Sequence, residues 1–447
     1  LLPKPVILKK ELHEQGKQQN MNRQIFSRAA AIASTTLILL GSLGWCIIKT
    51  PNTAFSRTKP QQAASNIPVN QKLVAANTKF GFKLFSEVLK QDSSKNVFVS
   101  PSSVAIALAM TYNGANGETQ QAMAKTLELQ GMSLQAINEA NAALQASLEN
   151  PASGKGVDSS RPQLTIANSL WAKQGVPFEP EFLQRNRQFY KAKITNLDFT
   201  SPNAPAVINN WVKQSTQGKI NQIVDTIQAD QVLFLINAIY FKGKWETPFN
   251  KSQTSNQTFY QLDGTSTKVP MMSQNGKYRY YENNNFQAIS IPYSKGRLSF
   301  YIFLPKQNST KGNLSQEFNA ENWQEWMTNF KMREGYIQMP RFKMDYEIEL
   351  TNALKTLGMG VAFNSSANFT QMSRIPLNIN QVKHKTFVEV NEEGTEAAAV
   401  TAIGIVTTSA QIPEEPFRMI VDRPFYCAIR DNQTGTLLFI GSIVEPK

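Results

Sequence analysis

The sequence predicts an α+β domain with large sheets, and three observations carry that expectation. Apolar residues recur at helical spacing early in the body, beginning with "LVAANTKFGFKLFSEVLKQ" (73–91). A run of strand length, "QVLFLINAIYFKGKW" (231–245), is almost continuously apolar, as a strand buried on both faces must be. Strand-like segments then dominate the rest, so helices and strands segregate along the chain. Of the 447 residues, 41% are hydrophobic, enough for a large core. Length alone would allow two or three domains.

The N-terminal part has a different character. Residues 29–48, "AAAIASTTLILLGSLGWCII", run for 20 positions without a charge, behind Arg23 and Arg28 and ahead of Lys49. Such a run can span a bilayer or form the apolar core of a secretory signal. Met21 stands just before the basic flank and is expected to be the true start. "LGWC" (43–46) only loosely fits a lipoprotein cleavage site, because bulky Trp45 occupies a position that wants a small residue. We therefore expect residues 1–50 to be an extension with a signal or membrane anchor. The protein would then be secreted, periplasmic or anchored facing outward, and would touch a membrane only through this segment. Residues 51–72, rich in Pro, Thr, Gln and Ala, read as a flexible linker. The leader and the lack of a disulfide framework suit a bacterium.

From residue 73 to 447 there is no second linker, repeat or low-complexity block, so one domain is expected. In the first helix Phe80, Leu84 and Val88 share a stripe. The next pattern, "SSVAIALAMTYNGANGETQQAMAKTL", is broken at Gly114 and Gly117 and resumes after them. "SLQAINEANAALQASLE" gives a third helix. Beyond the apolar strand, "LSFYIFLP", "YIQMPRFKMDYEIEL", "TFVEVNEE" and "LLFIGSIV" supply further strands.

Composition excludes several functions. Net charge is +13, which can signal nucleic acid or an anionic surface. No Lys/Arg cluster interleaved with aromatics and no zinc-finger or helix-turn-helix spacing accompanies it, so it reads as a solvated basic surface without a nucleic-acid partner. The two cysteines, Cys46 and Cys427, have no second metal ligand nearby, and neither a metal nor a cofactor is expected. The two histidines are His13, in the extension, and His384, on which alone a hydrolase would have to be built. An enzyme is not expected. Asn237, Ser100, Ser103 and His384 stand out instead as polar residues in apolar company, which must satisfy one another or nearby backbone.

The segment "EGTEAAAVTAIGIVTTSAQIPEE" (393–415) poses a separate problem. It carries no charge from Ala397 to Pro413 and no proline before Pro413, a profile ready to become a strand. Taken with period two from Thr395, one face holds Thr395, Ala397, Ala399, Thr401, Ile403 and Ile405, small residues first and β-branched ones later. Gly394 supplies a pivot. As a strand, the fourteen residues from Thr395 to Thr408 would extend about 46 Å.

The motifs together resemble the serpin family over nearly all of residues 73–446. "NVFVSPSSVAIALAMTYNGANGET" (96–119), "NNWVKQSTQGKI" (209–220) and "LINAIYFKGKWETPF" (235–249) carry the resemblance. "PRFKMDYEIELTNALKTLGM" (340–359), "VEVNEEGTEAAAVTA" (388–402) and "VDRPFYCAIRDNQTGTLLFIGSIVEP" (421–446) complete it in order. The resemblance implies three β-sheets, about eight or nine helices and an exposed reactive-centre loop. It implies a suicide-substrate inhibitor, whose loop is cleaved by a protease, traps it as an acyl-enzyme and inserts as a strand. The hinge falls on Glu392, Glu393, Gly394, Thr395, Glu396, Ala397, Ala398, Ala399 and Val400, and family loop length places the reactive bond at Thr408–Ser409. The shutter falls on Ser100, Ser103, Asn237 and His384, and the breach on Trp245. Asp422 replaces an asparagine often found before "RPF".

The loop offers no Lys, Arg, Phe, Tyr, Leu or Met between Ala397 and Pro416, so the expected target serine protease is elastase-like or subtilisin-like, with a cysteine protease as a further possibility. Activation by heparin through a basic helix is not expected, because residues 133–150 contain no Lys or Arg. The chain is expected to be a monomer at risk of loop–sheet polymers. The alternative is a non-inhibitory member acting as carrier or chaperone, which prolines or charges in the hinge would have favoured.

Overall fold

A computed structural model describes residues 68–149, 162–228, 230–307, 311–395 and 415–447. The leader, most of the linker, and residues 396–414 lie outside the described residues. The body opens with α1 (Gln71–Gln91), whose first turn is capped by the Asn70 side chain accepting from the Lys72 and Leu73 amides. After β1 (Val97–Val99) comes α2 (Pro101–Tyr112), which starts on proline and is buried on every side, as its all-round apolar sequence requires. α3 (Gly117–Thr126) and α4 (Leu134–Glu149) follow, so the pattern interrupted at Gly114 and Gly117 is two helices, and α5 (Pro180–Tyr190) comes next.

The strands build two hydrogen-bonded ladders among the described residues. One joins β10 (Phe342–Glu349), β11 (Gln381–Asn391), β12 (Gly394–Thr395), β4 (Leu233–Lys244), β2 (Gln163–Lys173) and β3 (Lys193–Leu197) in that order. The other contains β5 (Ser255–Tyr260), β6 (Ser266–Glu282), β7 (Phe286–Pro292), β8 (Leu298–Pro305), β9 (Lys331–Pro340), β13 (Phe417–Ile420), β14 (Phe425–Asp431), β15 (Leu437–Ile443) and β1. The 17-residue β6 links two layers: it pairs with β5 and β9 first, and with β7 through its last four residues. That shared strand is why two of the three expected sheets run together.

β4 shows how the apolar run is used. Leu235, Ile239 and Phe241 face the main core with α1 and α2, whereas Phe234, Ile236, Ala238 and Tyr240 face a second cluster. That second cluster is closed by Ile208 and Val212 of α6 (Ala204–Ser215) and by Ile220, Ile223 and Val224 after it. A strand covered on both faces needs apolar residues at every position, and the period-two signal disappears.

Candidate functional site

The six-stranded sheet contains a seam. β4 and β11 lie side by side in parallel, from Phe234 opposite Gln381 to Tyr240 opposite Phe387. Their other neighbours, β2 and β10, pair with them antiparallel. Above Tyr240 and Phe387 the two strands part, and β12 fills the gap. Thr395 pairs with Val390 on one side and Gly243 on the other, and Gly394 pairs with Asn391 and Lys244, antiparallel to both strands. A strand lying antiparallel between two parallel ones replaces one slanted ladder by two straighter ones.

The residues at this upper end hold the chain's entry. Thr395 is fully buried, and its hydroxyl lies 2.6 Å from that of Tyr293. Burial pushes the Tyr293 phenol well above the usual range, so it stays a neutral hydrogen-bonding group. Trp245 stacks on Tyr293 with ring centroids 4.6 Å apart, and its indole N–H donates to the Asn391 carbonyl at 2.9 Å. Its own amide donates to the Glu393 carbonyl at 3.0 Å. Gly394 has φ +149°, and a Cβ there would sit 2.1 Å from the Gly243 carbonyl oxygen, so no other residue fits. Glu392, 3% exposed, accepts from the Thr254 hydroxyl at 2.7 Å and faces the Arg341 guanidinium at 3.6 Å. Glu393 pairs with Lys251 at 2.5 Å.

Lower on the seam, the structure brings Ser100, Ser103, Asn237 and His384 into one network. His384 Nε2 accepts the Ser100 amide at 3.0 Å, which leaves the ring proton on Nδ1, donated to Asn237 Oδ1 at 2.6 Å. The Asn237 amide nitrogen donates to the Ser103 hydroxyl and to Asn168 Oδ1, each at 2.5 Å. The Ser100 hydroxyl donates to the Leu438 carbonyl, and Thr386 to the Phe98 carbonyl, each at 2.6 Å. His384 and Asn237 are opposite one another across the seam, so their hydrogen bond fastens β11 to β4. Burial pushes the imidazole down to about 3, partly opposed by hydrogen bonding to Asn237. Neither serine hydroxyl bonds to the ring, and both serines are fully buried. This is no nucleophile–base pair.

Trp245 does not join that network; it lies eight residues further along the β4 direction, roughly 26 Å away at strand rise. The hinge residues Glu396, Ala397, Ala398, Ala399 and Val400, and the reactive bond at Thr408 and Ser409, lie outside the described residues. Sequence reasoning missed Asn168, Thr386, Tyr293, Thr254 and Arg341. Asn168 could have been found by the logic that found Asn237, since it interrupts another buried strand. Nothing marked Tyr293 or Thr254. Among the described residues no group of three His, Cys, Asp or Glu could hold a metal. No helix among them is long and apolar enough to cross a membrane. Cys427 is buried, which pushes its thiol up and makes it inert.

Comparison with known proteins places this geometry. The family model described as Serpin (serine protease inhibitor) matches residues 75–446. An uncharacterised serpin-like protein of Thermococcus kodakarensis is 32% identical over 94% of this chain and 99% of its own length. The human leukocyte elastase inhibitor is 35% identical over 84% of this chain and all of its own. The native state of tengpin, a thermophilic serpin, superposes with a TM-score of 0.77 at 33% identity, covering 85% of this chain and 96% of that one.

Proposed function

Because the chain belongs to the serpin family, we propose that it is a suicide-substrate inhibitor of an elastase-like or subtilisin-like serine protease. One observation carries the reading: Gly394 and Thr395 already lie between β4 and β11, antiparallel to both. The family model is described as a serine protease inhibitor, a binding role rather than a catalytic one, and a buried, neutral His384 that bonds to neither Ser100 Oγ nor Ser103 Oγ fits that reading.

The protease serine attacks the carbonyl of the bait residue, taken as Thr408. The amide bond to Ser409 breaks, the Ser409 amine takes up the proton and leaves, and an ester joins the protease to Thr408. Hydrolysis of that ester would release the protease. Insertion competes with it. Each residue further along the loop meets one residue earlier on β4, so Ala397, Ala399 and Thr401 would reach the levels of Phe241, Ile239 and Asn237. Small side chains enter a packed sheet without overpacking it. Passing Asn237 requires the hydrogen bond between Asn237 and His384 to break, which gives the network the character of a shutter. Trp245, Tyr293, Glu392 and Glu393 form the breach, where entry starts.

The uncharged, small-residue bait favours elastase-like or subtilisin-like specificity, and the human relative is named for an elastase. Export through the N-terminal segment would bring the inhibitor to extracellular proteases. The protein works as a monomer on this reading, and a second copy's loop in the same seam would make polymers. The test is to mix the protein with an elastase, a subtilisin and a trypsin and look for a boiling-resistant covalent complex. A complex with elastase or subtilisin and a cut next to Thr408 supports inhibition. Cleavage with no complex and no gain in thermal stability would sink it in favour of a carrier or chaperone.

A further inference from the structure

Three Asn–Gly pairs occur in the chain, at 113–114, 116–117 and 275–276. The pair has a chemistry of its own. With no side chain on the second residue, its main-chain nitrogen can reach the carboxamide of the asparagine before it and close a five-membered ring. Whether it does so in a folded protein depends on how firmly the peptide between the two residues is held. The fold holds two of the three and leaves one open.

Asn113 is 1% exposed and spends both ends of its amide on Asn138, accepting at 2.8 Å and donating at 3.0 Å. The Gly114 amide donates to the Thr111 carbonyl at 2.9 Å, so nitrogen and carboxamide face different partners. Asn275 is exposed, but it and Gly276 are consecutive rungs of the β6–β9 ladder, opposite Tyr336 and Gly335. Turning that peptide would unzip the ladder in the middle of a 17-residue strand. At 116–117 both residues are exposed. The Gly117 amide donates to Asn116 Oδ1 at 2.9 Å, which sets the nitrogen against the carboxamide it would attack. The carbonyl of the same peptide accepts one long bond, from the Gln120 amide at 3.3 Å. Gly117 has φ +54°, and a Cβ there would meet nothing nearer than Asn368 Nδ2 at 3.6 Å, so no neighbour blocks the ring.

We propose that Asn116 is a self-modification site, at which the folded protein loses ammonia and acquires an aspartate or an isoaspartate. Base draws the proton from the Gly117 nitrogen, which bonds to Asn116 Cγ. The Cγ–Nδ2 bond breaks, and solvent returns a proton to Nδ2, which leaves as ammonia. Water then opens the succinimide. Attack at Cγ breaks its bond to the Gly117 nitrogen and gives aspartate. Attack at the Asn116 main-chain carbonyl carbon breaks the other bond and gives isoaspartate, with the chain routed through Cγ. Water is the one co-reactant.

The two products act differently on α3. Aspartate keeps an acceptor at the cap and places a negative charge at the helix N-terminus, both favourable. Isoaspartate adds a carbon to the main chain between the cap and the first turn. The stitches around it are set for normal spacing: the Asn116 amide donates to the Asn368 carbonyl at 2.9 Å, the Gln371 amide to the Gly114 carbonyl at 3.2 Å, and the Asn368 amide to the Thr119 hydroxyl at 2.9 Å. The extra carbon puts them out of register and loosens α3 from residues 368–371.

The test keeps the intact wild-type chain folded at mildly alkaline pH and samples it over days by peptide mapping. Each converted peptide gains one mass unit, and a protease that cuts before aspartate but not before isoaspartate separates the products. A parallel sample in guanidinium gives the rates without the fold. In the folded chain, conversion at Asn116 is expected to outrun that at Asn275 by about tenfold or more, since two ladder bonds must open at the latter. In guanidinium the three sites should converge. No conversion at Asn116, or equal rates at Asn116 and Asn275 in the folded chain, would overturn the proposal. Melting of the aged samples checks the consequence. A lower-melting fraction that grows with isoaspartate, and is missing from aged Asn116→Gln, supports the loosening of α3; isoaspartate without such a fraction overturns it. An Asn116→Asp variant should melt no lower than wild type, and a lower value would put the loss on the charge and overturn the main-chain account. The mapping needs no variant, so it decides the modification even if Asn116→Gln does not fold.

Discussion

The upper and middle parts of one seam are held by opposite kinds of chemistry. At the top, Glu392 and Glu393 face Arg341 and Lys251, whose side chains are 47% and 65% exposed, so the charges are screened by water. In the middle, His384, Asn237, Ser100 and Ser103 are fully buried and neutral, and every link is a hydrogen bond in a low-dielectric interior. The difference teaches where resistance to a strand is placed. At the top only the cationic partners Arg341 and Lys251 are exposed, so loss of those ion pairs on entry is offset by water, although Thr395, Tyr293 and Glu392 beside them are buried. Passage costs breaking bonds whose groups have nowhere else to turn.

Substitutions at the two levels should break this contrast in a graded way. The largest effect belongs to Thr395→Arg. A guanidinium at a fully buried position against Tyr293 cannot enter the sheet without stranding its charge. We expect covalent complex to fall at least about a hundredfold on gels, while the loop is still cut, because about 3 kcal/mol of burial penalty suffices for that. Next comes Asn237→Ala, which leaves His384 Nδ1, the Ser103 hydroxyl and Asn168 without their partner. A loss of about 3 kcal/mol is expected in denaturant unfolding of the uncleaved protein.

The middle level should also carry an acid sensitivity. His384 titrates near 3 in the folded chain and near 6.5 when unfolded, so the unfolded state binds the proton first. Stability from this group is complete above pH 6.5 and is lost as pH falls from there towards 3. At pH 5 the loss is about 2 kcal/mol, from roughly 1.5 pH units at 1.36 kcal/mol each. Melting curves at pH 7.5 and pH 5 check it, with a His384→Gln variant expected to flatten the difference. The smallest effect is Lys251→Ala at the top. Its ammonium is exposed, so the melting temperature should change by the equivalent of less than about 1 kcal/mol, and less again in 1 M salt. A large effect there would show that entry is guarded as tightly as passage.

The two levels were not equally legible in the sequence. Asn237 stands in a run that tolerates no polar residue without a partner, and His384 and the serines satisfy the same demand, so four members of one network could be named together. Asn168 obeys the same rule on β2 but was hidden among "TIANSLW", where Thr and Ser dilute the contrast. The top of the seam is different. Thr395 is satisfied by Tyr293, 102 residues away, and Glu392 by Thr254 and Arg341, and no local pattern predicts which distant residues a fold brings to one point. β12 is two residues long, too short for any periodicity, and its place follows only from the gap that β4 and β11 leave. The fold itself was legible in outline, including the paired helices around Gly114 and the doubly buried β4. The merging of layers through β6 was not, because a long strand with alternating polarity reads the same whether it serves one sheet or two.

The parallel pairing of β4 with β11 has a consequence for how this protein keeps time. A sheet whose central pair gains by accepting another strand is, on the insertion reading, held in its working form by a rate and not by being the lowest state. Age then becomes a property of a sample. Two preparations of the same chain, identical in mass and composition, can differ in activity according to how long and how warm each was stored. Heating the older one would show the higher melting temperature, so here the more robust material would be the spent material.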